Sequence, residues 1–155
     1  MSSFRTTRRM AFTAEQMFDL VIDVERYPQF LPMCDALVVR QRWEEGGRPH
    51  ILADMSVGYG AIRETFTTRV VFDRAAFTVH AANPPGQASG PFKTIENRWT
   101  FRDVAGGCDV EFAISYSFKS FVLQALVGGL FDKVFRKYTE AFEARARQIY
   151  GGTGA

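Results

Sequence analysis

Residues able to do chemistry are few in this chain, and their spacing argues against most reactions. His50 and His80 stand alone, with no metal-ligand or triad spacing around them. Cys34 and Cys108 lie far apart and in no CxxC pair, so neither a disulfide framework nor a zinc site is implied, and reduced, buried thiols are expected. No GxSxG, HExxH or phosphate-cradling glycine loop occurs. The carboxylates of Glu64, Glu96 and Asp109 fall in predicted strands. Glu64 can take either face by periodicity, which leaves a general acid or base open at that position. Arg145 sits in an apolar stripe between Phe142 and Ile149. It is expected to pair with a carboxylate or to hold a helix end against a sheet; snorkelling beside the helix C-terminus is the alternative.

What the chain has in quantity is apolar surface. Hydrophobic residues make up 46% of its 155 residues and 15 are Phe, which predicts a phenylalanine-rich interior or cavity. The formal charge of +2 is too small to make nucleic acid the main partner. The length fits a single domain, residues 1–150, followed by a short flexible tail, 151–155. No apolar run reaches the roughly 18 residues a membrane-spanning helix needs. The start, MSSFRTTRRMAF, reads as a strand rather than a targeting segment, so a mature cytoplasmic chain is expected.

The elements that must position these groups follow from periodicity. Residues 3–12 alternate as a first strand, and Thr13 with Gln16 forms a capping box for a helix through AEQMFDLVIDVERY, closed or kinked at Tyr27-Pro28. Strands are then predicted at 36–43, 51–57, 62–72, 77–81, 92–102 and 108–118, the last with Cys108, Val110, Phe112, Ile114, Tyr116 and Phe118 on one face. One long helix, from about Ser120 to Tyr150, is the only element able to cover the apolar side of such a sheet. Its second half is amphipathic, with Val134, Phe135, Tyr138, Ala141, Phe142 and Ile149 inward. Its first half, FVLQALVGGLF, is apolar all round and needs a core, a ligand, a partner or a lipid surface. Gly128-Gly129 inside it reads equally as a hinge or as a site of close packing. A sheet curled around one helix leaves a gap between them, where a small apolar molecule would sit.

Four blocks make the match narrower. YPQFLPMCDALVVR (27–40), GPFKTIENRWTF (90–101), VEFAISYSFKS (110–120) and FDKVFRKYTEAFEARA (131–146) resemble, in order, the coenzyme Q-binding START-domain family, which includes bacterial ribosome-association toxins. The resemblance implies an α+β helix-grip, START-like fold: seven antiparallel strands curled around a long C-terminal helix, with one or two short helices after strand one. It implies a bacterial, non-enzymatic binder of a prenylated quinone such as ubiquinone, with no other cofactor, or alternatively a protein that binds the large ribosomal subunit and limits subunit joining. A cyclase or aromatase, as elsewhere in the superfamily, ranks third.

For a quinone, one cavity wall is expected from Leu123, Leu126, Val127, Leu130, Phe131 and Val134 on the sheet-facing side of the last helix. Trp99 and Phe112 would form the opposite wall, and Tyr27, Phe30 and Met33 a lid near the mouth. Phe121, Val122 and Ala125 point away from the sheet, toward a peripheral membrane contact or a second copy in a homodimer. A ribosomal contact would instead use Arg5, Arg8 and Arg9, or the face bearing Lys133, Arg136, Lys137 and Arg147.

Overall fold

Strict alternation in β7 (Gly107–Phe118) is realised residue for residue: Cys108, Val110, Phe112, Ile114, Tyr116 and Phe118 are all buried, and the residues between them are not. β7 sits between β1 (Ser2–Met10) and β6 (Phe92–Val104). The computed structural model describes residues 2–151, apart from the side-chain surroundings of Tyr59, Val127, Gly128 and Asp132. Of the expected tail, only Gly151 falls among the described residues.

Between β1 and β6 the chain forms α1 (Ala14–Ile22), a 3-10 helix (Val24–Gln29), β2 (Cys34–Glu45), β3 (Arg48–Tyr59), β4 (Ile62–Asp73) and β5 (Thr78–Ala82). After β7 comes α2 (Phe121–Tyr150). The seven strands make one antiparallel sheet in the order β1-β7-β6-β5-β4-β3-β2, so β1 and β2 are its edges. This is the helix-grip arrangement expected from the sequence.

Local chemistry sets the element ends. Thr13 and Gln16 close a full capping box on α1, with the Gln16 amide N–H donating to the Thr13 hydroxyl at 3.1 Å and the Thr13 amide N–H donating to the Gln16 side chain at 2.9 Å. The helix stops at Ile22, earlier than the predicted Tyr27 boundary, and Pro28 lies inside the tighter 3-10 segment that follows. Tyr27 is what closes α1: its hydroxyl donates to the Val21 carbonyl, one of the orphan acceptors at the helix end. On α2, the Ser120 hydroxyl accepts from the N–H groups of Val122 and Leu123 at 3.1 and 3.3 Å, and Gly151 in the left-handed region (φ 65°) ends the helix.

The second half of α2 packs against β1, β7 and α1, burying Val134, Phe135, Phe142 and Ala146. Tyr150 donates to the Gln16 carbonyl at 2.7 Å, and Glu143 pairs with Arg8 of β1. Ile149, expected on this buried face, is 48% exposed, while its neighbour Tyr150 turns to the core and packs on Phe12 at 6.0 Å. Arg145 is half-buried and meets the 3-10 segment rather than the sheet: its Nη2 donates to Gln29 Oε1 at 3.2 Å and its guanidinium lies 5.2 Å from the Phe30 ring centroid. No carboxylate pairs with it among the described residues, so that part of the expectation is corrected.

Two glycines bear on stability in opposite senses. A Cβ at Gly107 would overlap the Met10 carbonyl oxygen, where β1 closes on β7, whereas a Cβ at Gly129 would meet nothing within 4 Å. Gly107→Ala is expected to destabilise by about 1–3 kcal/mol through overpacking. Gly129→Ala is expected to stabilise by up to about 1 kcal/mol through helix propensity. Paired thermal melts read this as midpoint changes of opposite sign; equal loss in both variants would restore a packing role for Gly129.

Candidate binding site

The sheet extends farther than the packed half of α2 reaches, and a cleft opens at the excess. One wall comes from the β3–β4 hairpin. Ile62, Glu64 and Phe66 alternate toward the helix along β4, and Val57, the register partner of Glu64, joins them from β3. Gly58 contributes backbone only. Its missing side chain points to the outer face, where a Cβ would lie 2.5 Å from Asp35 Oδ2 and 2.7 Å from Arg63 Nη1, so the Arg63–Asp35 ion pair (3.6 Å) occupies that space. Met33 meets the cleft at a positive φ of 63°, a conformation of order 1 kcal/mol above the ordinary basins. Its carbonyl is anchored by the Gly58 N–H at 3.0 Å.

The floor is aromatic. Phe92 packs edge-on against Phe66 at 5.2 Å and against Phe131 at 5.7 Å, and Phe118 stacks on Phe92 at 5.3 Å. From α2, Leu123, Leu130, Phe131, Val134, Phe135 and Tyr138 complete the lining, with Pro91 and Ile95 from the opposite side. The cavity volume of the cleft is only about 60 Å³. It is therefore a thin slot rather than a chamber.

Polar groups in the slot are sparse. Glu64 is the one charged side chain among the described lining residues, and it makes no hydrogen bond or ion pair with any of them. Tyr138 is kept protonated: burial raises its phenol pKa first, and the nearby Cys34 and Asp35 add to the rise. The other carboxylates considered above lie outside the cleft and are paired, Glu96 with His80 at 2.9 Å and Asp109 with Arg9 and Arg102. Hydrogen bonding from Arg9 holds the Asp109 carboxyl below its ordinary range. His50 is buried beside Trp43, with Nδ1 3.0 Å from the Arg48 carbonyl. Among the described residues no group of three or more His, Cys, Asp or Glu could hold a metal. Nor is any helix among them long and apolar enough to cross a membrane.

Of the residues expected to touch a ligand, Met33, Leu123, Leu130, Phe131 and Val134 line the slot. Trp99 and Phe112 do not. Their rings are 4.5 Å apart and Trp99 is 5.0 Å from Phe142, because α2 lies directly on that part of the sheet and fills it. Tyr27 and Phe30 form no lid; both pack on Phe142, at 5.3 and 5.2 Å. Leu126 is 74% exposed: at about 100° per residue it stands about 60° from the mean direction of Leu123, Leu130 and Val134, at the edge of the stripe. The Val127 side chain lies outside the described residues. Sequence reasoning missed the β3–β4 wall and the Phe92–Phe118 floor. It also missed Tyr138, which shares the wheel direction of Val134 and was legible from it.

The family model for polyketide cyclase / dehydrase and lipid transport proteins matches residues 10–143. The chain belongs to that family. Within the polyketide cyclase and lipid transport family, it is 34% identical over 143 residues to the ribosome association toxin RatA of Vibrio cholerae, covering 92% of this chain and 93% of the toxin. It is 27% identical to the mitochondrial coenzyme Q-binding protein COQ10 homolog B of Xenopus laevis, covering 96% of this chain and 59% of that protein. The solution structure of an 18 kDa protein from Caulobacter crescentus superposes with a TM-score of 0.79 at 33% identity, covering 98% and 100% of the two chains. The Zhui aromatase/cyclase from Streptomyces sp. R1128 matches at a TM-score of 0.78 but 13% identity, over 97% and 98% of the two chains, a likeness of fold alone. No cofactor or metal follows from these likenesses.

The buried thiols give a pH test of the folded core. Burial pushes Cys34 and Cys108 from 9.0 up to about 11, with Asp35 adding at Cys34 and Asp103 and Asp109 at Cys108. A proton held more tightly in the folded chain means stability falls as pH rises from 9.0 toward about 11. Denaturant titrations across that window should show the decline, and Cys34→Ala combined with Cys108→Ala should flatten it. An unchanged slope in the double variant would assign the decline to tyrosines instead.

Proposed function

We propose that the protein binds a prenylated quinone in the slot and carries it without transforming it. The carrying observation is the slot's composition and shape: narrow, aromatic-floored and, among the described residues, lined almost wholly by hydrocarbon. Burying isoprenoid surface there supplies roughly 25 cal/mol per Å² before binding costs are subtracted. A domain of this size has a radius of gyration of about 15 Å, so a long tail leaves through the mouth rather than lying wholly inside. The name of the coenzyme Q-binding relative supports the same ligand class.

Entry is from a membrane surface. Phe121 (94% exposed), Val122 (69%) and Leu126 (74%) stand on the helix that walls the mouth, with exposed Lys119 and Lys133 on either side in sequence. Apolar anchors flanked by cations suit the boundary of an anionic bilayer. A second copy of the chain on the same turn is the competing occupant. It would bury the anchors but leave the lysines unmatched.

A second reading, association with the large ribosomal subunit, rests on the toxin relatives' printed names and their 34% identity over 92% of this chain. The surface available to it is smaller than the sequence count of cations. Arg8 and Arg147 both pair with Glu143, and Arg9 with Asp109, while Arg5, Lys133, Arg136 and Lys137 form no ion pair among the described residues.

Organic extracts of the purified chain should contain quinone, and the emptied protein should take up a short-tail ubiquinone. Leu130→Glu is expected to cut that uptake at least about tenfold, the cost of placing a charge in the slot. Leu126→Glu should keep uptake but lose flotation with anionic vesicles. Lipid-free extracts with no uptake would overturn the first reading, and salt-sensitive cosedimentation with large subunits would establish the second.

A further inference from the structure

The sheet has two edges, and only one of them is closed off. β2 shifts register twice against β3, between Cys34 and Ala36 and between Val39 and Gln41. The 3-10 helix packs along it, and Glu25 of that helix pairs with Arg42. Bulges and a covering segment are ways in which sheets stop an edge from pairing further. β1 has neither: it pairs with β7 from Ser2 to Met10 without a register shift. Alternate residues of an antiparallel edge strand turn their N–H and C=O groups away from the sheet. On β1 none of these outward groups bonds to a described residue. What β1 does carry is positive charge: Arg5, Arg8 and Arg9, with no acid between Ser2 and Met10. A groove of about 280 Å³ lies between this edge and α2, and its lining includes Phe4, Arg5, Thr6, Arg8, Arg136 and Glu140. Arg136 stands 5.8 Å over the Phe4 ring, and neither it nor Arg5 forms an ion pair among the described residues. Arg8 shares Glu143 with Arg147, and Arg9 shares Asp109 with Arg102, so cations outnumber acids here even with Glu111 and Glu140 counted.

We propose that β1 accepts an eighth strand from a partner protein: an extended segment rich in acidic side chains. The open edge offers alternating donors and acceptors, and a peptide backbone answers both. A nucleic-acid strand would meet the cations but only half of the edge, because phosphates accept hydrogen bonds and cannot satisfy the outward carbonyls. A second copy of the chain is a poor occupant. Pairing β1 with another β1 would set Arg5, Arg8 and Arg9 beside the same three arginines, and like charges on facing strands repel. The arginines thus protect the edge against its own kind and leave it open to a strand of opposite charge. Side chains of an added strand alternate between two faces. One set enters the groove, toward Arg8 and Arg136, and the other lies along the outer face beside Arg5. None of the slot's lining residues belongs to β1, so this surface is separate from the lipid site.

The test uses the full chain and a blocked peptide of alternating Glu and Val, about ten residues long to match one strand. It should bind at least about tenfold tighter than its Lys-Val counterpart and slow amide exchange along β1. Methylating the amide nitrogens on one edge of the peptide removes its donors and should weaken it about tenfold. Arg5→Glu, and then Arg5→Glu with Arg136→Glu, should weaken it by successive steps of roughly threefold or more, with thermal melts reporting that both variants stay folded. No binding of the acidic peptide, a methylated peptide that binds as well as its parent, or slowed exchange elsewhere than β1 would overturn the inference. So would a single-stranded RNA oligonucleotide that displaces the peptide and leaves the β1 amides unprotected, or self-association that protects β1 in the chain alone. Quinone uptake enters none of these outcomes, so the lipid reading stands or falls separately.

Discussion

One helix has to cover one face of seven strands, and it does so along only half its length. From Val134 onward α2 is pressed into the sheet by Phe135, Phe142 and Ala146 and tied to β1 and α1 by Glu143 and Tyr150. Before that point its described side chains meet a slot on one side, at Leu123, Leu130 and Phe131, and solvent on the other, at Phe121, Val122 and Leu126. The slot follows from this mismatch. Where the helix lies close, at Trp99 and Phe112, rings interlock and nothing can enter; where it stands off, over Phe92 and Phe118, a thin space remains. The same residue types therefore serve as core at one end of the sheet and as lining at the other.

That division explains what the sequence could and could not reveal. The fold was legible because period-two alternation in β6 and β7, the Thr13–Gln16 capping box and the uninterrupted run to Gly151 each point the same way. The family blocks added connectivity that periodicity alone does not supply. The site was half legible. A helical wheel gave Leu123, Leu130, Phe131 and Val134, since direction about one axis is a local property. It misjudged Leu126, which lies at the edge of the stripe. It gave no access to the β3–β4 wall, because strand faces there depend on which part of the sheet the helix leaves uncovered. Glu64 is the clearest case: either face satisfied its period, and only the register with Val57 fixed it.

Relatives carrying a lipid-binding name and a ribosome-associating name share this one architecture, at 27% and 34% identity to the chain. The two readings draw on different surfaces. The proposed lipid binding would use the slot and the apolar first turns of α2, whereas a ribosomal contact would use the strip of cations, without ion pairs among the described residues, where α2 runs beside β1. Nothing in the geometry sets one against the other.

The antiparallel pairing of β1 with β7, from Ser2 opposite Tyr116 to Met10 opposite Cys108, has a kinetic side. During synthesis β1 emerges first yet has no partner until about a hundred residues later, and α2, which must cap the apolar face, follows later still. Throughout that interval the greasy side of β2 to β6 is uncovered. Contacts of such long sequence separation close slowly, and exposed sheet faces invite aggregation while they wait. Pocket formation is thus among the last events of folding, and a nascent chain has no slot until α2 has closed over the sheet.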